Sequence, residues 1–405
     1  MNFDTFSFHP LINAGISSVG YSSTTPIQSH TIPDILSGRD VLGLAQTGTG
    51  KTAAFVLPIL DRLIKGPRGI LRALILSPTR ELAEQTHTAI TQLGRKTGLR
   101  SLTVYGGVSA QPQIKGLRSG VDIVVACPGR LLDLKDQRKI DLNQIEILVL
   151  DEADHMFDMG FLPSIRRIID GLPKSRQTLL FSATMPNEIR SLATKVLTNP
   201  VTVEIGITKP INTIKHAMYQ VEQIQKQEVL LKLLSDSGDG QVLVFTRTKH
   251  RAKKLAIQLA RTGLSATSLQ GNLSQSQREI AMNAFRNGRV RILVATDIAA
   301  RGIDVSQVSH VINYDIPDTA DAYTHRTGRT GRMEHLGTAL SLVTEDDMPM
   351  VRTIERLMGK NLERRRLAGF EGKTNHTNPT IPTNQLTNQA REFKKYRTHN
   401  YTEHR

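Results

Sequence analysis

The chain has 405 residues, more than one hydrophobic core usually supports, so two domains are expected. Its 39% hydrophobic content is enough for real cores, which must be largely aliphatic because aromatic residues make up 4% and Trp is absent. Lys and Arg outnumber Asp and Glu by 52 to 37, a net charge of +15 that points to a polyanionic partner, and one cysteine, Cys127, excludes an internal disulfide framework and a cysteine-based zinc site.

The N-terminal stretch "MNFDTFSFHPLINAG" has neither the basic start nor the apolar run of a secretory signal, and no segment approaches membrane-spanning length. A cytoplasmic protein with no membrane association is expected, and the Asn-x-Ser/Thr triplets at Asn272, Asn375 and Asn400 are then chance matches. Short β-branched runs follow: "DVLGLAQ", "RALILSPT", "VDIVVACP", "IEILVLDE" and "QTLLFSAT". Each is continuous rather than alternating in apolar character and is succeeded by a turn and a helical pattern, which predicts an α/β fold with helices on both faces of a parallel sheet. The pattern restarts after residue 215 with "QVLVFTRT", "ATSLQGN", "RILVATD", "VSHVINYD" and "GTALSLVT". Between the halves, "VEIGITKPINTIKH" carries Gly206 and Pro210 and reads as a linker. From about residue 371 the composition turns to Asn, Thr, Pro, Lys and Arg, too polar to bury a core, so a disordered tail is expected.

Chemistry-bearing residues lie just after the predicted strands, where such sheets bind ligands. "AQTGTGKT", residues 45–52, sits between a strand and a helix pattern. It fits a phosphate-binding loop once the first glycine is relaxed to Ala45, with Gln46, Thr47 and Thr49 filling the intervening positions. Gly48 and Gly50 let successive backbone N–H groups turn toward phosphate oxygens, Lys51 would reach the β- and γ-phosphates, and Thr52 would ligate Mg²⁺. The buried-type run "IEILVL" ends in Asp151, Glu152 and Asp154, which repel one another unless something positive lies between them. An acidic first helical turn accounts for one or two of these. Beside a phosphate loop, Asp151 suits a Mg²⁺ ligand, Glu152 a general base and Asp154 a group that orients its neighbours. In "HRTGRTGR", residues 325–332, the three-residue spacing predicts one helical face carrying His325, Arg326, Arg329 and Arg332. Arginines there could stabilise γ-phosphate charge across a cleft between domains.

Taken together, these motifs resemble those of the DEAD-box RNA helicases of helicase superfamily two, in the family's order over nearly residues 1–370. The set comprises "GYSSTTPIQ" with Phe3 upstream, "AQTGTGKT", "PTRELA" (78–83), "GG" (106–107), "CPGR" (127–130), "DEAD" (151–154), "SAT" (182–184), "VFTRTK" (244–249), "ATDIAARGID" (295–304) and "HRTGRTGR". The resemblance implies two tandem RecA-like domains, each a mostly parallel sheet with helices on both faces. Residues 1–29 would form the Q-motif region and 30–204 the first domain. A linker at 205–214, a second domain at 215–370 and a basic tail at 371–405 would follow. It implies ATP as substrate, with Tyr21 stacking on adenine, Gln28 reading the adenine edge, Asp304 at the ribose, and Arg329 and Arg332 as arginine fingers. Ser182 and Thr184, with Asp154 and His325, would couple the nucleotide site to RNA. Pro78, Thr79, Arg80, Gly107, Gly129 and Arg130 would grip RNA from the first domain. Arg247, Gly271, Gln275, Arg278, Thr296 and Asp297 would do so from the second. Contacts of this kind read backbone and 2′-hydroxyls with little sequence specificity.

Three departures from the family pattern stand out: Cys127 for Thr, Gln270 and Leu273 for His and Lys, and Thr327 for Ile. None touches the ATP chemistry; the first two remove a hydroxyl and positive charge from the RNA side. The resemblance implies an RNA-dependent ATPase that locally unwinds short duplexes or remodels ribonucleoproteins, acting as a monomer with ribonucleoprotein or degradosome-type partners, most like bacterial RhlE-type members. Ribosome assembly and RNA turnover are the processes it suggests. An ATP-gated RNA clamp that seldom unwinds uses the same motifs. The Q motif and "PTRELA" argue against a DNA translocase. In the tail, "REFKKYR" interleaves Phe393 and Tyr396 with basic residues, as expected of a loose RNA-holding segment.

Overall fold

The computed structural model of the protein describes residues 1–46, 48–205, 214–300, 308–331 and 337–367. In the first lobe, α1 (Pro10–Ser18) and α2 (Pro26–Leu36) precede β1 (Val41–Ala45) and α3 (Lys51–Leu63). Strands and helices then alternate through β2 (Ala73–Leu76), α4 (Arg80–Leu93), β3 (Ser101–Val104), α5 (Ala110–Arg118), β4 (Ile123–Ala126) and α6 (Pro128–Asp136). The lobe finishes with β5 (Ile147–Leu150), α7 (Ala153–Asp158), α8 (Leu162–Ile169), β6 (Gln177–Ser182), α9 (Asn187–Val196) and β7 (Val201–Ile205). The second lobe opens with β8 (Ile214–Gln220), α10 (Lys226–Asp236), β9 (Gln241–Phe245), α11 (Lys249–Arg261), β10 (Ala266–Leu269) and α12 (Gln275–Arg286). After β11 (Ile292–Ala295), α13 (Asp297–Ala300) and β12 (Val308–Asn313) come α14 (Ala320–Thr327), β13 (Gly337–Val343), α15 (Met348–Met358) and β14 (Glu363–Arg365).

Both sheets have seven strands, in the orders β3-β4-β2-β5-β6-β1-β7 and β10-β11-β9-β12-β13-β8-β14, and their pairings are parallel. The two orders correspond strand for strand, so one lobe repeats the other. Continuous apolar strands arise because both faces are covered. Along β1, Val41 and Ala45 pack into one layer with Phe55 and Phe181, while Leu42 and Leu44 enter the opposite layer with Leu148 and Leu180. In β9, Val242 and Val244 face one layer and Leu243 and Phe245 the other.

The ten strands predicted from apolar runs are present. Four more, β3, β7, β8 and β14, lie at sheet edges or beside the linker. The "ERR" of β14 has no apolar residue; it joins the sheet by backbone pairing with Ala217–Tyr219, and Arg364 pairs with Glu355 of α15 at 3.4 Å. Ile205 and Ile214, read as the ends of the linker, are strand residues. Residues 206–213 between them, and the tail at 371–405, lie outside the described residues. No described helix is long and apolar enough to cross a membrane.

The second lobe also buries a lysine. Lys226 Nζ donates to the Tyr314 carbonyl at 3.0 Å and lies 3.8 Å from Asp315 and 3.7 Å from Asp347, with its side chain 2% exposed. Removing one partner of such a set leaves uncompensated buried charge. Lys226→Ala is expected to destabilise the fold by about 3–5 kcal/mol, read as a lower urea midpoint by circular dichroism; an unchanged midpoint contradicts this.

Candidate functional site

A cavity of about 1040 Å³ lies between the lobes, where the phosphate-loop turn and the end of β5 in the first lobe face α12 of the second. On the first lobe it is lined by Phe3, Tyr21, Gln28, Gly48, Gly50, Lys51, Thr52, Asp151 and Glu152, which joins the predicted nucleotide residues to both carboxylates. The turn between β1 and α3 runs through Gly48 and Gly50 at φ +86° and +92°, a region that favours glycine. Gly50 has a second reason to lack a side chain, since a Cβ there would lie 2.5 Å from the Gln28 amide. Gln28 Nε2 donates to the Gly50 carbonyl at 3.1 Å, and its Oε1 accepts from the Thr25 N–H at 2.9 Å where α2 begins. One side chain thus caps α2 and braces the loop. Lys51 is buried, donating from Nζ to the Ala45 carbonyl at 2.8 Å, and the Thr49 hydroxyl donates to Gln46 O at 2.8 Å. Tyr21 is 45% exposed with its ring near-parallel to Phe3. Thr47 lies outside the described residues.

Asp151 and Glu152 follow β5 directly, and Glu152 adopts φ +51°, a left-handed turn that precedes α7. Both are buried. Burial and the neighbouring Glu152 charge push the Asp151 carboxyl up to about 7, against the pull of Lys51. Burial opposes the Glu152 charge too, but His155, Lys51 and Arg329 outweigh it and hold Glu152 below the usual carboxylate range. His155 Nδ1 lies 3.3 Å from Glu152 Oε2. One arginine of the second lobe is therefore close enough to act on the first-lobe carboxylate.

The predicted coupling residues come together. Thr184 donates to Asp154 Oδ2 from its N–H at 2.9 Å and its hydroxyl at 2.8 Å. Ser182 Oγ accepts from the Asp154 N–H at 3.2 Å and donates to the Thr184 carbonyl at 2.7 Å. From the other lobe, His325 Nε2 reaches within 3.9 Å of Asp154 Oδ2.

The predicted single helical face of arginines is incorrect. α14 stops at Thr327, where Gly328 breaks the helix, so the arginines diverge. Arg326 turns into the second lobe, pairing with Asp297 at 2.5 and 2.7 Å and lying over the Phe245 ring. Arg329 sits beyond the helix, its Nε donating to the His325 carbonyl at 3.2 Å. Asp297 is thereby occupied within its own lobe. Arg332 and Asp304 lie outside the described residues.

The residues assigned to RNA lie at or just before helix starts, and Gln275 and Arg278 among them also line the cavity. Thr79 caps α4 by accepting from the Leu82 N–H. Pro78 precedes it, and Arg80 lies over the Tyr105 ring, 5.9 Å from its centroid. Gly107, at φ +75°, leaves the space this guanidinium fills. Arg130 donates to the Val108 carbonyl at 3.0 Å, while Gly129 and Gly271 have open space beside them. Thr296 is half-buried at the end of β11. Arg247 lies near Asp318 and Asp347 at 3.3 and 3.7 Å. Gln275 and Arg278 instead clasp the first lobe. Arg80 donates to Gln275 Oε1 at 3.4 Å, and Arg278 holds Glu81 at 2.8 and 2.6 Å. Sequence reasoning passed over Glu81, Tyr105 and His155. It also passed over the caps Ser109, Thr248 and Ser274, although the Ser274–Gln277 capping box was visible as "SQSQ". Cys127 begins α6 with no side-chain cap.

Comparison with known proteins agrees with this arrangement. The DEAD/DEAH box helicase family matches residues 25–192, and the helicase conserved C-terminal domain matches residues 225–334. The RNA helicase CrhR of Synechocystis is 45% identical over 86% of this chain and 71% of its own length. The DEAD-box ATP-dependent RNA helicase CshA of Bacillus subtilis is 39% identical over 90% and 74% respectively. Among solved structures, S. cerevisiae Dbp5 bound to RNA and ADP BeF3 superimposes with a TM-score of 0.81 at 33% identity, covering 90% of this chain and 95% of Dbp5. With two repeated parallel-sheet lobes, a nucleotide cavity between them and these relatives, the chain belongs to the DEAD-box family of ATP-dependent RNA helicases.

Proposed function

We propose that ATP and RNA together close the two lobes, that the closed state bends one RNA strand and so separates short duplexes locally, and that hydrolysis of ATP then resets the open form. The observation that carries this reading is the seam itself: Glu81–Arg278, Arg80–Gln275 and Asp154–His325 link the lobes while Arg329 acts on Glu152. The Dbp5 structure it resembles carries RNA and ADP BeF3.

In this mechanism the phosphate loop and Lys51 cradle the triphosphate, Gln28 and Tyr21 hold the base, and Arg329 with Arg332 offsets charge on the transferred phosphoryl group. Among the described residues no group of three or more His, Cys, Asp or Glu could hold a metal by protein ligands alone. Thr52 and Asp151 line one cavity, and the buried negative charge there is answered within its lobe mainly by Lys51 and His155, which fits a Mg²⁺ ion sharing its coordination with phosphate and water. When bound, that ion neutralises charge on the phosphates. Glu152 orients the attacking water and takes its proton. The cations that keep Glu152 ionised also make it a weak base, so orientation counts for more than proton affinity. Asp154, Ser182, Thr184 and His325 join this site to the helix starts that face RNA.

Glu152→Gln is expected to bind ATP and RNA while hydrolysis falls by about 10²- to 10⁴-fold; normal steady-state turnover removes Glu152 from this role. Glu81→Arg and Arg278→Glu should each weaken RNA-stimulated hydrolysis about tenfold, equivalent to about 1.4 kcal/mol. The double exchange should recover most of it, and no recovery means that the pair does not stabilise closure. Contacts to 2′-hydroxyls predict stimulation by single-stranded RNA and not by DNA of the same sequence. Equal stimulation by DNA rejects that form of recognition. Strand displacement from a short duplex tests unwinding directly.

A further inference from the structure

α11 carries Lys249, Arg251, Lys253, Lys254 and Arg261, together with His250, and no acidic residue. Its apolar side, Ala252, Leu255, Ala256 and Leu259, is buried in the second-lobe core, and Arg251 bends back to Asp315 at 2.6 Å. Of the other positions, His250, Lys253, Lys254, Ile257 and Arg261 are exposed and fall at helical spacings of three and four, which puts them on one face, with exposed Lys249 at its edge. Among the described residues no ion pair involves Lys249, Lys253, Lys254 or Arg261.

This charge works against the helix. Lys249 lies in the first turn, at the positive end of the helix dipole, and Lys249–Lys253 repel at a spacing of four. The fold does not require it. α4 follows the equivalent strand of the first lobe and is capped by Thr79 as α11 is capped by Thr248, yet α4 begins with Arg80 and Glu81 and carries Glu84. An anion on the α11 face would relieve the repulsion. The face also begins beside Arg247, one of the residues assigned to RNA.

We propose that the exposed face of α11 binds the phosphate backbone of RNA that extends past the stretch held between the lobes. The span from His250 to Arg261 is roughly 16 Å at 1.5 Å per residue, room for several successive phosphates. Phosphate contacts of this type are independent of sequence. The inference deepens the RNA helicase reading by adding a second, outer segment to its substrate.

The test uses the full chain and its Lys253→Gln, Lys254→Gln, Arg261→Gln triple variant, none of which touches the ATP site. RNA-stimulated hydrolysis is titrated with a short oligonucleotide that fills only the cleft and with versions extended at the 5′ or the 3′ end. With the short RNA, both proteins should show the same maximal rate and half-saturation. With one of the extended RNAs, the variant should need about tenfold more RNA at low salt, and the slope of log affinity against log salt should fall by about 0.7 for each lost contact. The melting temperature should be unchanged or higher, because repulsion within α11 is removed. Unchanged affinity and salt slope with both extended RNAs overturn the proposal. So does an equal loss with the short RNA, or a lower melting temperature. Failure of any RNA to stimulate the unaltered protein would instead count against the RNA-dependent mechanism as a whole.

Discussion

The constraint on which the rest of the structure depends is the burial of two adjacent carboxylates, Asp151 and Glu152, at the end of β5. Like charges this close, out of water, need positive charge around them. Lys51 and His155 supply part of it from the first lobe, and the glycine turn before α3 exists to deliver Lys51 there. Arg329 supplies more, and it comes from the second lobe. The charge balance of the nucleotide site is therefore better in the closed arrangement than in either lobe alone. A ligand that adds phosphate charge and an accompanying cation to this site is read by both lobes at once.

The repeat between lobes explains why so many side chains of different type converge. Each sheet ends in a ring of helix starts, and the equivalent positions use equivalent caps: Thr79 and Thr248, then Ser109 and Ser274. The match is not general: Thr319 caps α14 where Glu152 gives α7 no side-chain cap, and the Cys127 thiol caps nothing at the start of α6. Both lobes give charged residues to the seam, Glu81 from the first and Arg278 from the second, while Arg326 turns inward onto Asp297 and Asn313.

Much of the fold was legible because its signals are local. Continuous apolar runs such as "ALIL" and "IVVA" can persist only where a parallel strand is covered on both faces, and the glycine-rich turn, the acidic strand end and the order of the motifs pointed to ATP and RNA. The strands missed, β3 and β14 in particular, are edges whose place is set by backbone pairing rather than by side-chain pattern. The site residues missed share a different cause. Glu81 sits 197 positions from Arg278 in the chain, and neither is unusual until the lobes meet. The arginine series failed as a helix face because spacing was read without the glycines that interrupt it. Arg326 and Arg329 are three apart and point to different tasks.

Gln28 has a consequence that reaches beyond its contact with the phosphate loop. Its amide already holds the first turn of α2 through Thr25 and the loop through Gly50, leaving one N–H and one lone pair for anything else. A base that engaged those remaining groups would tighten a bracket already attached to the start of α2 and to the phosphate loop. The identity of the base at one end and the ordering of the phosphates at the other would then be registered as a single event. A nucleotide with the wrong base would fill the phosphate loop without engaging the free groups of Gln28, so discrimination would fall on this bracket rather than on the phosphate grip.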